Sequence, residues 1–288
     1  MDFIWESITE WLKEVLVGGI MDHLSGMFDA VNQQVGDVAT QVGTSPANFS
    51  PGVFSMIQNV SESVIIPIAG IILTIIACYE LIQMIIDHNN LANFETWIFF
   101  KWVFKTFVAV MLITNCFNIT MAVFDVCQNV INGAGGLISD TTAIDGAALE
   151  TLEETLMEMD IGPLIGLFLQ SFLLNVTMWA LSIIIFIIVY GRMIEIYLYS
   201  SVGAIPFATM TNREWGQMGN NYLRGLVALG FQGFFIMVFV GIYAALVNSL
   251  TFTTDIQATL LSVAAYTVVL CFTLFKTGGI SKSIFNAH

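Results

Sequence analysis

The sequence predicts an all-α polytopic membrane protein with about five transmembrane helices and one broken or re-entrant element. Of its 288 residues, 57% are hydrophobic and 10% are charged, whereas soluble domains have about 45–50% apolar and about 25% charged residues. Runs such as VIIPIAGIILTIIACYELIQMII exceed the ~20 residues that an α-helix needs to cross the hydrocarbon core. Transmembrane barrels instead show short segments of alternating hydrophobicity, so the continuous apolar runs favour helices.

Composition divides the chain into four regions. They are an N-terminal region at 1–63, a transmembrane hairpin at 64–124, an acidic insert at 125–160 and a C-terminal transmembrane region at 161–288. The apolar runs predict five spans, at 64–86, 96–124, 161–190, 222–247 and 256–275. Pro67 is tolerated in the first span because it lies in the first turn. The short polar link DHNNLANFE makes the first two spans antiparallel neighbours.

The N-terminal region begins with an amphipathic segment. Apolar residues recur at helical spacing on one side of it, and acids occupy the other. The apolar residues are Ile4, Ile8, Trp11, Leu12, Val15 and Leu16. Tryptophans on such a helix suit the headgroup layer, and packing against another subunit is an equally open alternative. Because Asp2 and Glu6 stand where a signal peptide carries positive charge, we expect no cleaved signal.

The basic residues predict the orientation of the chain. Residues 1–63, 125–160 and 248–257 together hold 17 of the 22 acids but only one of the eight Lys and Arg residues. The other seven lie beside the link before Lys101, in the 191–224 region and in the C-terminal tail. Since Lys and Arg mark the cytoplasmic side, the N-terminus and the acidic insert are predicted outside and the C-terminus inside.

Five spans with these ends leave residues 191–208 unable to cross the membrane fully. The segment is apolar but interrupted by Gly203 and Pro206. A sixth full span would put Arg213 and Arg224 outside, so the segment is predicted to re-enter or to lie along the inner face. Non-helical backbone at membrane depth occurs only where protein or water satisfies it. The broken element is therefore either a functional centre or a packed half-helix.

Charged side chains in the first two spans lie at similar depth. Glu80 precedes the inner end of the first span by about six residues, and Lys101 and Lys105 lie about five to nine residues into the second, which is roughly 8–14 Å at ~1.5 Å per residue. Three roles are open for the lysines: extension to the inner headgroups as topology signals, an ion pair with Glu80, or the lining of a pore. Farther along, Arg192 and Glu195 are three residues apart and predict a local pair at the inner interface.

The acidic insert predicts a capped amphipathic helix within DTTAIDGAALETLEETLMEMD. Its apolar stripe consists of Leu149, Leu152, Leu156 and Met159. This stripe needs a surface to bury against, which its own subunit, a neighbouring subunit or a partner protein could provide. We expect the outer helix to face a partner. The acids lack the alternating ligands and the glycine of an EF-hand loop, so a solvated acidic face is expected.

Small residues four apart are the remaining structural signal. Gly162 and Gly166 form one such pair, and Gly241 and Ala245 form another, as in close-packed membrane helices. The chain contains no GxGxxG, no phosphate-binding Gly-Lys-Ser/Thr loop, no HExxH and no nucleophile elbow. We therefore predict no enzymatic activity, no cofactor and no metal site.

The order of segments resembles the polytopic inner-membrane subunit of conjugation and type IV secretion machines, the TrbL-type and VirB-type channel family. The stretch YGRMIEIYLYSSVGAIPFATM is similar to that family's hydrophobic segment, in which an arginine is followed by a proline-broken turn. NVINGAGGLISD, the acidic helix and NNYLRGLVALGFQGFFIMVFVGIYAALV are most similar to versions on conjugative elements of Gram-positive, Clostridia-like bacteria. The similarity runs from about residue 55 to 285.

The resemblance implies a multi-pass protein of the bacterial cell membrane. It implies a homo-oligomer, pentameric in related machines, that contacts membrane lipids and other type IV secretion subunits. The oligomer would form the membrane base through which a relaxase attached to single-stranded DNA passes. The acidic exterior does not fit a high-affinity DNA site, because single-strand binders use a positive groove. A small-solute transporter and a non-conducting membrane scaffold are the alternatives, and a transporter should show a polar site at mid-membrane.

Overall fold

The computed structural model describes residues 2–87, 96–141, 147–212, 214–250 and 256–287. Of these described residues, 93% are helical and none lies in a strand. The helices are α1 (Asp2–Val42), α2 (Pro46–Phe49), α3 (Pro51–Val60), α4 (Ile66–Asp87), α5 (Thr96–Thr114), α6 (Cys116–Thr141), α7 (Ala147–Glu158), α8 (Ile161–Val202), α9 (Ala204–Thr209), α10 (Gly216–Asn248) and α11 (Ile256–Ile284). The all-α class is confirmed.

Within the described residues, five helical stretches are long and apolar enough to cross a membrane. They are Pro51–Ile86, Trp97–Thr114, Ile161–Val202, Gly216–Asn248 and Ile256–Ile284. This number matches the five predicted spans. The sides on which the termini lie stay a prediction.

The first span begins earlier than the predicted residue 64. Pro51 opens α3 after Ser50, as expected for a proline at the first helical position. The helix then continues into α4 through a wider turn, Ser61–Ile65, in which the backbone N–H of Ile66 bonds to the carbonyl of Ser61. Such π-type turns insert one residue without ending the helix, so the helix that carries the first span begins at Pro51, before the predicted boundary at 64.

The second span is shorter than the predicted 96–124. Helix α5 ends at Thr114, and Asn115 separates it from α6. The Asn115 side chain donates a 2.9 Å hydrogen bond to the carbonyl of Met111, and such local bonds compete with regular helix geometry. Helix α6 then runs through the predicted boundary at 125, so the first half of the acidic insert is helical.

The third span does not end at residue 190. Helix α8 continues from Ile161 to Val202 and passes Gly191 without a break. Gly203 interrupts it, and α9 follows at once. The helix break predicted within residues 191–208 therefore lies near the end of that segment, at Gly203, which was one of the two residues used to predict it.

The backbone divides into two compact units. Unit 1 comprises Met1–Val42, Ile131–Val189 and Phe235–Thr277, and unit 2 comprises Gly43–Val130, Tyr190–Phe234 and Gly278–His288. In unit 1, α7 packs against α1. In unit 2, the short helix α9 packs against both α4 and α5.

Small residues allow this packing of α9 in unit 2. Ala69 of α4, Ala109 of α5 and Ala204 and Ala208 of α9 are all fully buried in one apolar cluster. Small side chains let membrane helices approach closely without a polar driving force. The helix break after α8 is thereby held against the α4–α5 hairpin.

Candidate functional site

A groove on the α4–α5 hairpin brings together Glu80, Lys101 and Lys105. We call it the hairpin groove; it has a volume of about 240 Å³. Its lining includes Glu80, Gln83, Ile98, Lys101, Trp102 and Lys105. Ile98, Lys101 or Trp102, and Lys105 recur at helical spacing on α5, so one face of that helix supplies most of the wall.

The groove contains an ion pair between its two helices. The Lys105 Nζ atom lies 3.1 Å and 3.3 Å from the two carboxylate oxygens of Glu80. The Glu80 side chain is 16% exposed and that of Lys105 is 42% exposed. Lys101 lines the same groove and is exposed. Among the described residues, Glu80–Lys105 is the ion pair that the structure contains.

Aromatic residues fix the walls of the hairpin groove. Trp102 donates a 3.1 Å hydrogen bond from its ring nitrogen to the carbonyl of Ala77 and so ties α5 to α4. Gln83 donates to the Tyr79 hydroxyl at 2.7 Å. The Tyr79 ring stacks on that of Trp215, with centroids 6.2 Å apart and planes 2° apart. Tryptophan and tyrosine are enriched at the level of the headgroups.

The helix break lies in a tightly packed part of unit 2. Gly203 is buried, and a Cβ atom there would collide with the Tyr222 hydroxyl and lie 2.7 Å from the Cys116 sulfur. Tyr222 is held in place because its hydroxyl donates to the carbonyl of Tyr199 at 2.8 Å. Pro206 is half-buried within α9. Glycine is thus required at 203 by close approach, since its backbone angles are ordinary helical ones.

Arg192 joins α8 to α10. Its side chain is 4% exposed, and it donates to the carbonyl oxygens of Leu229 at 3.2 Å and Gly230 at 3.1 Å. Glu195, the partner predicted for it, lies on an exposed part of α8. Arg192 therefore ties α8 to α10 through backbone carbonyls, because the face of α8 that carries it is packed on α10.

The outer helix α7 buries part of its predicted stripe inside its own chain. Leu152 is 3% exposed and Leu156 is fully buried, and α7 contacts α1 within unit 1. At these two leucines the chain's own helix α1 is the covering surface, one of the three surfaces left open by the sequence, because an amphipathic helix buries its apolar face on the nearest apolar surface; a partner contact of the outer helix stays a prediction. Met159 is half-buried, and the side chain of Leu149 lies outside the described residues.

The predicted small-residue motifs differ in their surroundings. Gly241 of α10 is buried, and a Cβ atom there would lie 2.7 Å from a side-chain carbon of Ile138. Gly166 lies near Gln257, at 3.9 Å by the same measure. Gly162 and Ala245 are exposed. Close helix approach within the chain is thus observed at Gly241.

The His, Cys, Asp and Glu side chains are the residues that could hold a metal ion. Where the structure describes side chains, no group of three or more His, Cys, Asp or Glu residues could hold a metal ion. The four cysteines are free, and Cys116 and Cys127 are buried. The charged residues of the hairpin groove lie on a membrane hairpin and resemble no catalytic constellation.

The comparison with protein families decides the assignment. The TrbL/VirB6 plasmid conjugal transfer like protein family matches residues 31–204, more than half of the chain. The chain belongs to this family. The match begins within α1, includes the hairpin groove and ends just after the helix break at Gly203. No curated protein and no solved structure matches the chain.

Membership in the TrbL/VirB6 family makes this chain a multi-pass cell-membrane protein and a component of conjugal transfer systems. The resemblance inferred from the sequence is confirmed. The family is a structural component of such systems and is not known as an enzyme family. It associates with other conjugal transfer subunits.

Sequence reasoning missed several residues that build these sites. Trp102 and Tyr222 form hydrogen bonds to backbone carbonyls in other parts of unit 2. Arg192 was named from the sequence, but its carbonyl partners on α10 were missed. Carbonyl partners are available at every residue, so they leave no mark in a sequence. A signal did exist for Trp102, which lies between the two lysines on the face toward α4.

Proposed function

We propose that this chain is a homo-oligomeric membrane subunit of a conjugative type IV secretion apparatus. The oligomer forms the membrane base through which a relaxase–single-stranded DNA substrate passes. The family match over residues 31–204 is the observation that carries the proposal. The family associates with other conjugal transfer subunits, and we expect the same association of this chain.

The exposed surface of the hairpin supports oligomerisation. Pro51–Ile86 and Trp97–Thr114 bury only 17% and 11% of their most apolar stretch inside the chain, whereas Gly216–Asn248 buries 56%. Large exposed residues such as Phe100 (61%) and Phe104 (67%) lie on α5. In a membrane, these faces contact lipid or identical helices of neighbouring subunits. The first two spans are therefore the least covered inside the chain, which leaves their faces available for subunit contacts.

The charge of the chain supports a passive conduit. The formal net charge is −14, and proteins that hold single-stranded nucleic acid tightly use a positive groove with stacking aromatic residues. An acidic surface repels the phosphate backbone and prevents adhesion during passage. The energy for transport must then come from other subunits.

The test measures DNA passage in a host that carries the transfer system. The gene for this chain is deleted and supplied in trans with an affinity tag, and transfer to recipients is counted. During transfer, formaldehyde cross-links the transferred strand to the proteins it touches, and DNA recovered with the tagged chain is quantified. We expect deletion to reduce transfer to background and the transferred strand to be recovered with the tagged chain.

A tagged multi-pass protein of unrelated function provides the matched control for DNA recovery. Undiminished transfer after deletion would reject a role in the apparatus. Loss of transfer without any cross-linked strand would instead favour a non-conducting scaffold.

A further inference from the structure

We propose that the hairpin groove binds the headgroup of an anionic phospholipid. The phosphate lies between the ammonium groups of Lys101 and Lys105, and the acyl chains contact the apolar side chains of the groove wall, Met84 and Ile98. The ligand class is a phosphodiester that carries one negative charge, as in phosphatidylglycerol. The inference concerns lipid and does not depend on passage of DNA.

The charges of the groove match this ligand. Lys101 and Lys105 contribute two positive charges and Glu80 one negative charge, which leaves one positive charge. Glu80 lies on one side of Lys105, at 3.1 Å. Since Lys105 is 42% exposed and Lys101 is exposed, both ammonium groups are accessible to a phosphate. The chain as a whole has a net charge of −14, so the positive charge of the groove differs in sign from that of the chain.

The level of the groove also suits a headgroup. Lys101 lies five residues into α5 and Lys105 nine, or roughly 8–14 Å along the helix at ~1.5 Å per residue. Lysine side chains of this length reach the interface from such depths. Trp102 lies in the groove wall, Trp97 lies at the start of α5, and Tyr79 stacks on Trp215 in the same unit. These residue types form belts at the membrane–water interface, and they mark the level independently of the lysines.

The groove wall includes the apolar side chains of Met84 and Ile98, which can contact the acyl chains below the headgroup. Exposed apolar residues such as Phe104 of α5 and Ile86 of α4 lie on other faces of the same two helices. A water-soluble anion would gain nothing from the apolar part of the groove wall, whereas a lipid buries its chains against it. Basic pockets between transmembrane helices on the cytoplasmic side recognise anionic lipid headgroups, and the lysines are on the side predicted to be cytoplasmic.

The experiment measures lipid binding to the purified full-length chain. After removal of co-purified lipid, native mass spectrometry follows the binding of dioleoylphosphatidylglycerol and, separately, dioleoylphosphatidylethanolamine. We expect the anionic lipid to bind more tightly than the zwitterionic one. Lys101→Gln should weaken its binding about fivefold, the effect of one lysine near an anionic headgroup.

Two further variants separate charge from folding. Lys101→Arg keeps the charge and should retain the preference for the anionic lipid. Lys282→Gln removes an exposed lysine in the last turn of α11 and should bind like the unchanged chain. Circular dichroism confirms that each variant is folded before binding is compared.

Three outcomes would overturn the proposal. They are equal binding of the two lipids, an unchanged affinity in Lys101→Gln, and an equal loss of affinity in Lys282→Gln. Addition of excess inorganic phosphate distinguishes the source of the ligand. Displacement of the lipid by phosphate would mean that the groove binds a free anion, whereas retention supports the lipid.

Discussion

Lys105 and Arg192 are both cations in helices of membrane-spanning composition, yet their charges are satisfied in different ways. Lys105 is 42% exposed and pairs with the Glu80 carboxylate on the neighbouring helix. Arg192 is 4% exposed and donates to two backbone carbonyls of α10. The planar guanidinium presents five donors in a fixed geometry and can bond to several neutral acceptors, whereas lysine is a compact charge on a flexible stem.

This difference separates a structural cation from one that remains available. The donors of Arg192 are engaged at a helix–helix contact, so its removal disturbs packing in unit 2. Lys105 keeps part of its ammonium exposed beside Lys101. Substitution of Arg192 should therefore lower the free energy of unfolding more than substitution of Lys105 does. Substitution of the hairpin-groove lysines should instead weaken ligand binding more than substitution of Arg192 does.

The largest effect is expected for Arg192→Ala. The variant loses two hydrogen bonds from a charged donor and the packing of a buried side chain, so the free energy of unfolding should fall by about 3 kcal/mol. Arg192→Lys should lose about half as much because one ammonium cannot reproduce the planar contact. Unfolding in mixed detergent micelles measures both.

Arg224 provides the matched control on α10. It is an exposed arginine in the same unit, and Arg224→Ala should change the free energy of unfolding by no more than about 0.5 kcal/mol. Equal losses for Arg192→Ala and Arg224→Ala would contradict the structural role of the Arg192 contacts.

A smaller effect is expected for the Glu80–Lys105 pair. The coupling energy between Glu80→Gln and Lys105→Gln in a double-mutant cycle should be about 0.5–1 kcal/mol, because the exposed lysine is screened. The coupling should decrease in high salt. The exchange of the two charges, Glu80→Lys with Lys105→Glu, should restore part of the stability that Glu80→Lys alone loses.

The cycle between Glu80→Gln and Lys101→Gln is the corresponding control, because Lys101 lines the groove without the 3.1 Å contact of Lys105. Its coupling should be smaller. Strictly additive effects at Glu80 and Lys105 would mean that both lysines serve only as topology signals at the inner headgroups.

The sequence could predict those features that depend on composition and spacing. Five apolar runs predicted five spans, and matching depths brought Glu80 and Lys105 together as one of three open roles. Helix boundaries were less accessible because they depend on local bonds. The Asn115 side chain bonds to the carbonyl of Met111 at the end of α5, and the wide turn at Ser61–Ile65 lets α3 continue into α4.

Tertiary contacts account for the other differences. Periodicity marked Leu152 and Leu156 as an apolar stripe but did not indicate which surface would bury them, and α1 of the same chain does so. The carbonyl partners of Arg192 belong to α10, about 37 residues away in sequence. The close approach at Gly203 likewise depends on Tyr222, whose position only the fold determines.

The oligomeric state of the chain tests the central claim most directly. The full-length protein is purified in nanodiscs of native lipid, its mass is measured by native mass spectrometry, and its projection is imaged by electron cryomicroscopy. We expect a closed ring of identical subunits around a central lumen. A monomer or dimer with a polar pocket at mid-membrane would contradict it and favour a small-solute transporter.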